Sequence, residues 1–173
     1  MPYGISLKSC NATAGEILKL WDEASVFESN SSMQELGYPP HLTLAVFEQW
    51  PKDVSAIMAE VFSAQETLLI AFDAVKYFDN ETMVLWAKPR LNHDLSSLHS
   101  RLHGHFDPLS SHEHYRVGRW VPHCSLATKV PQSAKPAAIG WAESRVVNFT
   151  VEFDLADFVQ FPPVVVHEEL QLR

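Results

Sequence analysis

Two short strings carry the residue types that could do chemistry. Pro122-His123-Cys124-Ser125-Leu126-Ala127 is matched, with two substitutions, by Pro40-His41-Leu42-Thr43-Leu44-Ala45. The offset is 82 residues (123 less 41), near half of the 173-residue chain. One substitution exchanges serine for threonine and so keeps a hydroxyl. In a strand, residues i and i+2 share a face. His41 with Thr43, and His123 with Ser125, therefore form two polar faces, while Leu42, Leu44, Cys124 and Leu126 point the other way, into a core. Two imidazoles and two hydroxyls facing one cleft suit phosphodiester chemistry without a metal. One neutral imidazole takes a proton from the attacking water or hydroxyl, and the other, protonated, gives one to the leaving oxygen. An unperturbed pKa near roughly 6.5 makes either form accessible. The hydroxyls can donate to phosphate oxygens as negative charge builds.

The elements that must hold these strings recur in the same order. Tyr3 to Lys8 alternates as a strand. Ile17, Leu20, Trp21 and Ala24 recur at helical spacing, with Thr13 as expected N-cap and Glu16 completing a capping box. A loop over residues 28–40 leads into the first motif strand. A helix from Pro51 to about Ser63 and a strand from Thr67 towards Phe78 follow. Asp79-Asn80-Glu81 reads as a turn. The second half runs strand (Thr82 to Ala87), helix (Asn92 to about His105), polar loop (Phe106 to Gly118), motif strand (Trp120 to Thr128) and short helix (to Trp141). Val146 to Phe161 and Val164 to Leu172 read as apolar strands on either side of Pro162-Pro163. Phe72-Asp73 echoes Phe153-Asp154 at nearly the motif offset. These patterns predict an α+β fold: a single domain over residues 1–173 made of two pseudo-repeated lobes, about 1–80 and 81–173. Each lobe is expected to hold an antiparallel-rich sheet and two helices, with the active cleft between them.

Composition narrows the partners. With 46% hydrophobic and 20% charged residues the chain has the makeup of a soluble globular domain. A formal net charge of −8 argues against a broad footprint on duplex DNA, which needs clustered cations. A short phosphorylated substrate held by a few local groups fits better. Two cysteines are too few for a disulfide framework. No signal peptide and no run approaching the roughly 20 apolar residues of a membrane span is seen. The expectation is a cytoplasmic monomer that engages no membrane.

The doubled H-x-[T/S] motif, each copy preceded by proline and followed by Leu-Ala, resembles the 2H phosphoesterase superfamily. That superfamily includes 2′,3′-cyclic nucleotide phosphodiesterases and the so-called 2′-5′ RNA ligases. The resemblance implies a metal-independent phosphoric diester hydrolase acting on a 2′,3′-cyclic phosphate, a small nucleotide or an RNA end. It makes His41 and His123 the acid–base pair and Thr43 and Ser125 the phosphate-holding hydroxyls. By analogy, His123 would be the base and His41 the acid in cyclic-phosphate opening. It implies no cofactor, and the chain has neither a P-loop nor a glycine-rich dinucleotide fingerprint.

Other residues are weighed against these. Tyr38 precedes the first motif, and Tyr115, Arg119 and Trp120 precede the second. If their loops rim the cleft, an aromatic could stack on a base and an arginine could meet phosphate; otherwise Trp120 is core and the arginine solvated. His99, His103, His105, His112 and His114 have spacings that can hold a metal, but no cysteine joins them. Two alternatives to the hydrolase follow: a nucleotide-binding module on the same fold without turnover, and a histidine-rich metal-binding protein. Cys124 reads as a small buried apolar residue.

Overall fold

The structure, a computed structural model, describes all 173 residues. Eight strands form two antiparallel four-stranded sheets, with five α-helices packed around them. In chain order these are β1 (Tyr3–Lys8), α1 (Gly15–Ser25), α2 (Ser32–Leu36), β2 (His41–Phe47), α3 (Val54–Phe62) and β3 (Leu68–Phe78). Then come β4 (Met83–Pro89), α4 (His93–His103), β5 (Cys124–Val130), α5 (Lys135–Ser144), β6 (Val146–Phe153), β7 (Leu155–Gln160) and β8 (Val165–Gln171). The repeated order strand, helix, motif strand, helix, strand is as the sequence predicts.

The sheets, however, do not divide the chain near residue 80. One has the order β2-β1-β7-β8 and the other β5-β4-β3-β6. β3, from the first half, lies in the second sheet. β7 and β8, from the C-terminal end, lie in the first. The stretch expected as one strand from Val146 to Phe161 breaks at Asp154. β6 ends there beside β3, and β7 begins beside β1. Helices exchange as well: α1 and α2 lie against β5, whereas α3 lies against α4 and β8. One apolar core joins both sheets, running from Ile5 and Leu42 through Phe72 and Leu85 to Cys124 and Phe158.

Local details also depart from the expected ones. Asn11, not Thr13, opens the first helical segment, a 3-10 turn whose cap oxygen accepts from the Thr13 amide. Thr13 is pulled away because its hydroxyl accepts from the Glu152 amide of β6. Glu16 pairs with Lys19 instead of closing a capping box. The polar loop before the first motif contains α2, capped by Ser31 and stopped by Gly37 in the left-handed region (φ 60°), where glycine carries no Cβ penalty.

Two histidines tie α4 to the rest. His103 Nε2 lies 3.0 Å from the Leu44 carbonyl of β2, and His99 Nε2 lies 2.8 Å from the Tyr115 carbonyl. A carbonyl can only accept, so each imidazole donates. Their rings sit 4.4 Å apart. Burial pushes the His99 pKa down to about 4, reinforced by His103, and lowers His103 too; the carbonyl bonds oppose this only in part. Between the ordinary 6.5 and about 4, the unfolded chain binds a proton at His99 that the fold refuses. Stability therefore falls as pH drops through that window. Thermal melts should show Tm falling by several degrees from pH 6.5 to pH 4, and a His99→Gln/His103→Gln variant should show a shallower decline. An unchanged slope in that variant would reject these two residues as the cause.

Candidate active site

β2 and β5 are the terminal strands of their sheets, and the two sheets meet along them. β2 packs directly against β5, so the two motifs lie side by side. Leu42, Leu44, Cys124 and Leu126 are buried, as expected. Burial pushes the Cys124 thiol up to about 12, which keeps it a packed, inert thiol. His41, Thr43, His123 and Ser125 remain half-buried on the other face.

The two imidazoles are held in the same way. His41 Nδ1 lies 2.9 Å from the Pro39 carbonyl, and His123 Nδ1 lies 2.7 Å from the Val121 carbonyl. In each case the acceptor is the residue two positions earlier. Each bond requires a hydrogen on Nδ1, which leaves Nε2 to take up or deliver a proton. Burial pushes the His41 pKa down to about 4. The Pro39 carbonyl opposes this, and the charges of His123 and Lys8 add to it. Burial also lowers His123, against its bond to Val121.

The neighbours of the two motifs differ. Ser6 and Lys8 stand opposite Thr43 and His41 on β1. Ser6 Oγ donates to Thr43 Oγ1 at 3.4 Å, leaving the threonine proton free for another acceptor. Lys8 is buried and meets Asp157 of β7 at 2.9 Å and also Glu169 of β8. Burial alone would lower the Lys8 pKa, but its bonds to Glu169 and Asp157 win and hold it above the ordinary value. The Tyr38 phenol donates to Asp157 at 2.6 Å, and its ring packs edge-on to His41 at 4.8 Å. Around His123 the neighbours are aromatic. Phe78 and Trp86 stack on each other at 4.9 Å and both meet the imidazole edge-on. Trp86 stands opposite Ser125.

Two indoles brace the motif strands. Trp120 Nε1 donates to the Thr43 carbonyl at 3.0 Å, and Trp21 Nε1 donates to the Ser125 carbonyl at 2.9 Å. His99 covers a face of Trp120 at 4.0 Å, nearly parallel. Trp120 is thus a packed brace and not an open platform for a base. Arg119 lies at the surface in an ion pair with Glu113 at 2.7 Å, and Tyr115 is half-buried, its carbonyl receiving His99. Tyr38 helps line a small cavity of about 60 Å³ with Ser6, His41, Thr43, Val159 and Phe161. A larger cavity of about 570 Å³, lined by Glu60, Gln65, Asp94 and Arg101, contains none of the motif residues.

The spacing of the remaining histidines does not build a metal centre. No group of three or more His, Cys, Asp or Glu side chains has a metal-holding arrangement. Nor is any helix long and apolar enough to cross a membrane. Several residues of the site had faint or no sequence signal. Lys8 and Lys88 lie near the motif offset from one another, and the structure pairs each with a carboxylate, Asp157 and Asp73. Phe78 and Asp157 carried no periodicity that could have marked them, and the helical stripe through Trp21 marked it only as core.

Residues 16–160 match the model of the 2′-5′ RNA ligase superfamily. Among curated proteins, none matches the chain in sequence. Solved structures share the fold over nearly the whole chain. The crystal structure of TT0787 of Thermus thermophilus aligns with a TM-score of 0.68 and 20% identity, covering 100% of this chain and 98% of that one. E. coli LigT in apo form aligns at 0.60 and 13%, covering 99% and 98%. E. coli LigT complexed with 3′-AMP aligns at 0.58 and 10%, covering 98% and 96%.

Two substitutions test this arrangement. Lys8→Met strands Asp157 in the core and should cost about 3–5 kcal/mol in chemical denaturation, since breaking a buried pair leaves a bare charge. Trp120→Phe keeps the packing but orphans the Thr43 carbonyl and should cost about 1–3 kcal/mol. Denaturation midpoints equal to wild type would contradict either assignment.

Proposed function

The chain belongs to the 2′-5′ RNA ligase superfamily, and from that premise we propose that it is a metal-independent phosphodiesterase that opens a 2′,3′-cyclic phosphate or a small nucleotide diester. The observation that carries this reading is the matched pair of imidazoles, each fixed through Nδ1 to its own chain and each beside a hydroxyl. In the proposed step, one Nε2 takes a proton from water as the water oxygen attacks phosphorus. The bond from phosphorus to a ribose oxygen breaks, and the second imidazole gives that oxygen its proton. Thr43 and Ser125 donate to the non-bridging oxygens, where negative charge grows. The product is a phosphomonoester. The neighbour crystallised with 3′-AMP supports a ligand of this size.

By analogy with the superfamily, His123 is the base and His41 the acid in cyclic-phosphate opening. Burial lowers both imidazoles below the ordinary 6.5, and at His41 the charges of His123 and Lys8 add to it.

Turnover of a 2′,3′-cyclic nucleotide should persist in excess EDTA. His41→Ala and His123→Ala should each lower kcat by at least about a hundredfold with the circular dichroism spectrum intact. The profile of kcat/KM against pH reports the pair, and both imidazoles lie below the ordinary 6.5. The optimum should therefore fall on the acid side of 6.5. Loss of turnover in EDTA, or near-normal rates in either alanine variant, would overturn the proposal. An alkaline optimum would contradict an acid–base pair made of two lowered imidazoles.

A further inference from the structure

The motifs match, but the space beside them does not. On the His41 side, Lys8 is enclosed by Asp157, Glu169 and Tyr38, and the adjoining cavity holds only about 60 Å³. On the His123 side the equivalent lysine is open. Trp86 and Lys88 alternate at the end of β4 and so share one face, and Arg90 follows directly after the strand. The Lys88 and Arg90 side chains are 37% and 54% exposed. With Leu91, Val121 and Pro122 they line a groove of about 260 Å³, and the last two residues run directly into His123.

The charge of this groove runs against that of the molecule. The chain carries a formal −8, yet no carboxylate lines the groove. Asp73 of β3 lies beside it and meets both cations, Lys88 at 2.8 Å and Arg90 at 3.8 Å. Two positive charges on one negative leave one in excess. Trp86, 6% exposed, forms part of the wall, and its indole N–H is buried without a protein partner. The two cations offer a positive field to an acceptor-rich anion, and a guanidinium fits phosphate in a fixed fork.

We propose that this groove binds a second phosphate group of the substrate, beyond the one being cleaved and on the His123 side. The proposal rests on the phosphodiesterase reading and specifies its substrate class. That phosphate has two chemical sources, the diester linking a further nucleotide or a terminal phosphomonoester.

Three substrates separate them: adenosine 2′,3′-cyclic phosphate, the same compound bearing a 5′-phosphate, and a dinucleotide ending in a 2′,3′-cyclic phosphate. One or both phosphate-bearing substrates should exceed the first by about tenfold in kcat/KM, mainly through KM, as one charge-assisted contact is worth. Which of them does so identifies the source. In Arg90→Gln and Lys88→Gln the ratio should fall towards one, and Arg90→Lys should restore part of it. Equal values for all three substrates in the wild-type protein would overturn the proposal, as would a ratio that survives both glutamine variants. Binding keeps the two readings apart. If no substrate turns over, the phosphodiesterase reading fails. Calorimetric titration then decides the groove: adenosine 3′,5′-bisphosphate should bind about tenfold tighter than adenosine 3′-phosphate, with the difference lost in Arg90→Gln. Equal affinities would reject it.

Discussion

The fold depends on how two edge strands are finished. A terminal strand presents a row of unpaired N–H and C=O groups on its outer side, and these must be paired, covered or left to water. Here the two terminal strands carry the two motifs and meet each other. Each outer edge is completed by residues from the other half of the chain. Along β2, the Thr43 carbonyl receives Trp120, the Leu44 carbonyl receives His103 and the Val46 carbonyl receives the His112 amide. Along β5, the Ser125 carbonyl receives Trp21, the Thr128 amide meets Ser32 and the Lys129 amide meets Glu28. The bracing is reciprocal, and in each strand it grips the residue that carries the hydroxyl. Satisfying the backbone and aiming the side chains are thus the same structural act.

The lysine–aspartate pairs behind the motifs show how one plan can yield two environments. Both pairs join neighbouring strands of a sheet, Lys8 to Asp157 and Lys88 to Asp73. The first is buried, and desolvation would be ruinous for it without Tyr38 and Glu169 to complete its hydrogen bonds. The second is open to solvent, where its field reaches outward and is screened. The buried cation weighs on His41 and helps to keep that imidazole neutral, whereas His123 faces Phe78 and Trp86. Matched residue types thus sit in unmatched surroundings, a buried cation beside one imidazole and aromatic rings beside the other.

Much of this was legible in the chain. The repeated motif located both strands, and alternation correctly placed Leu42, Leu44, Cys124 and Leu126 in the core. The stripe through Ile17, Leu20, Trp21 and Ala24 gave α1, and all four residues are buried. What escaped was whatever depends on distant partners. β3 and β7 are patterned as ordinary strands, and nothing local says which sheet will receive them. The break at Asp154 leaves no mark in the pattern, since strand continues on both flanks and only the neighbours change. Trp21 read as core, which it is, but its indole nitrogen reaches the other half of the chain. Thr13 had the residue type of an N-cap and lost the position to Asn11 because β6 claimed its hydroxyl. Sequence pattern records which side of an element is apolar; it does not record which element will cover it.

The strand exchange has a mechanical corollary. Two lobes joined by one linker can swing apart like jaws around a hinge. These cannot, because the backbone passes between the sheets repeatedly: through α1 on the way from β1 to β2, again on the way to β3, and again at Asp154. Separating the sheets would shear paired strands rather than rotate a joint. The spacing between the two motif strands is accordingly set by the fold itself rather than by the swing of a joint.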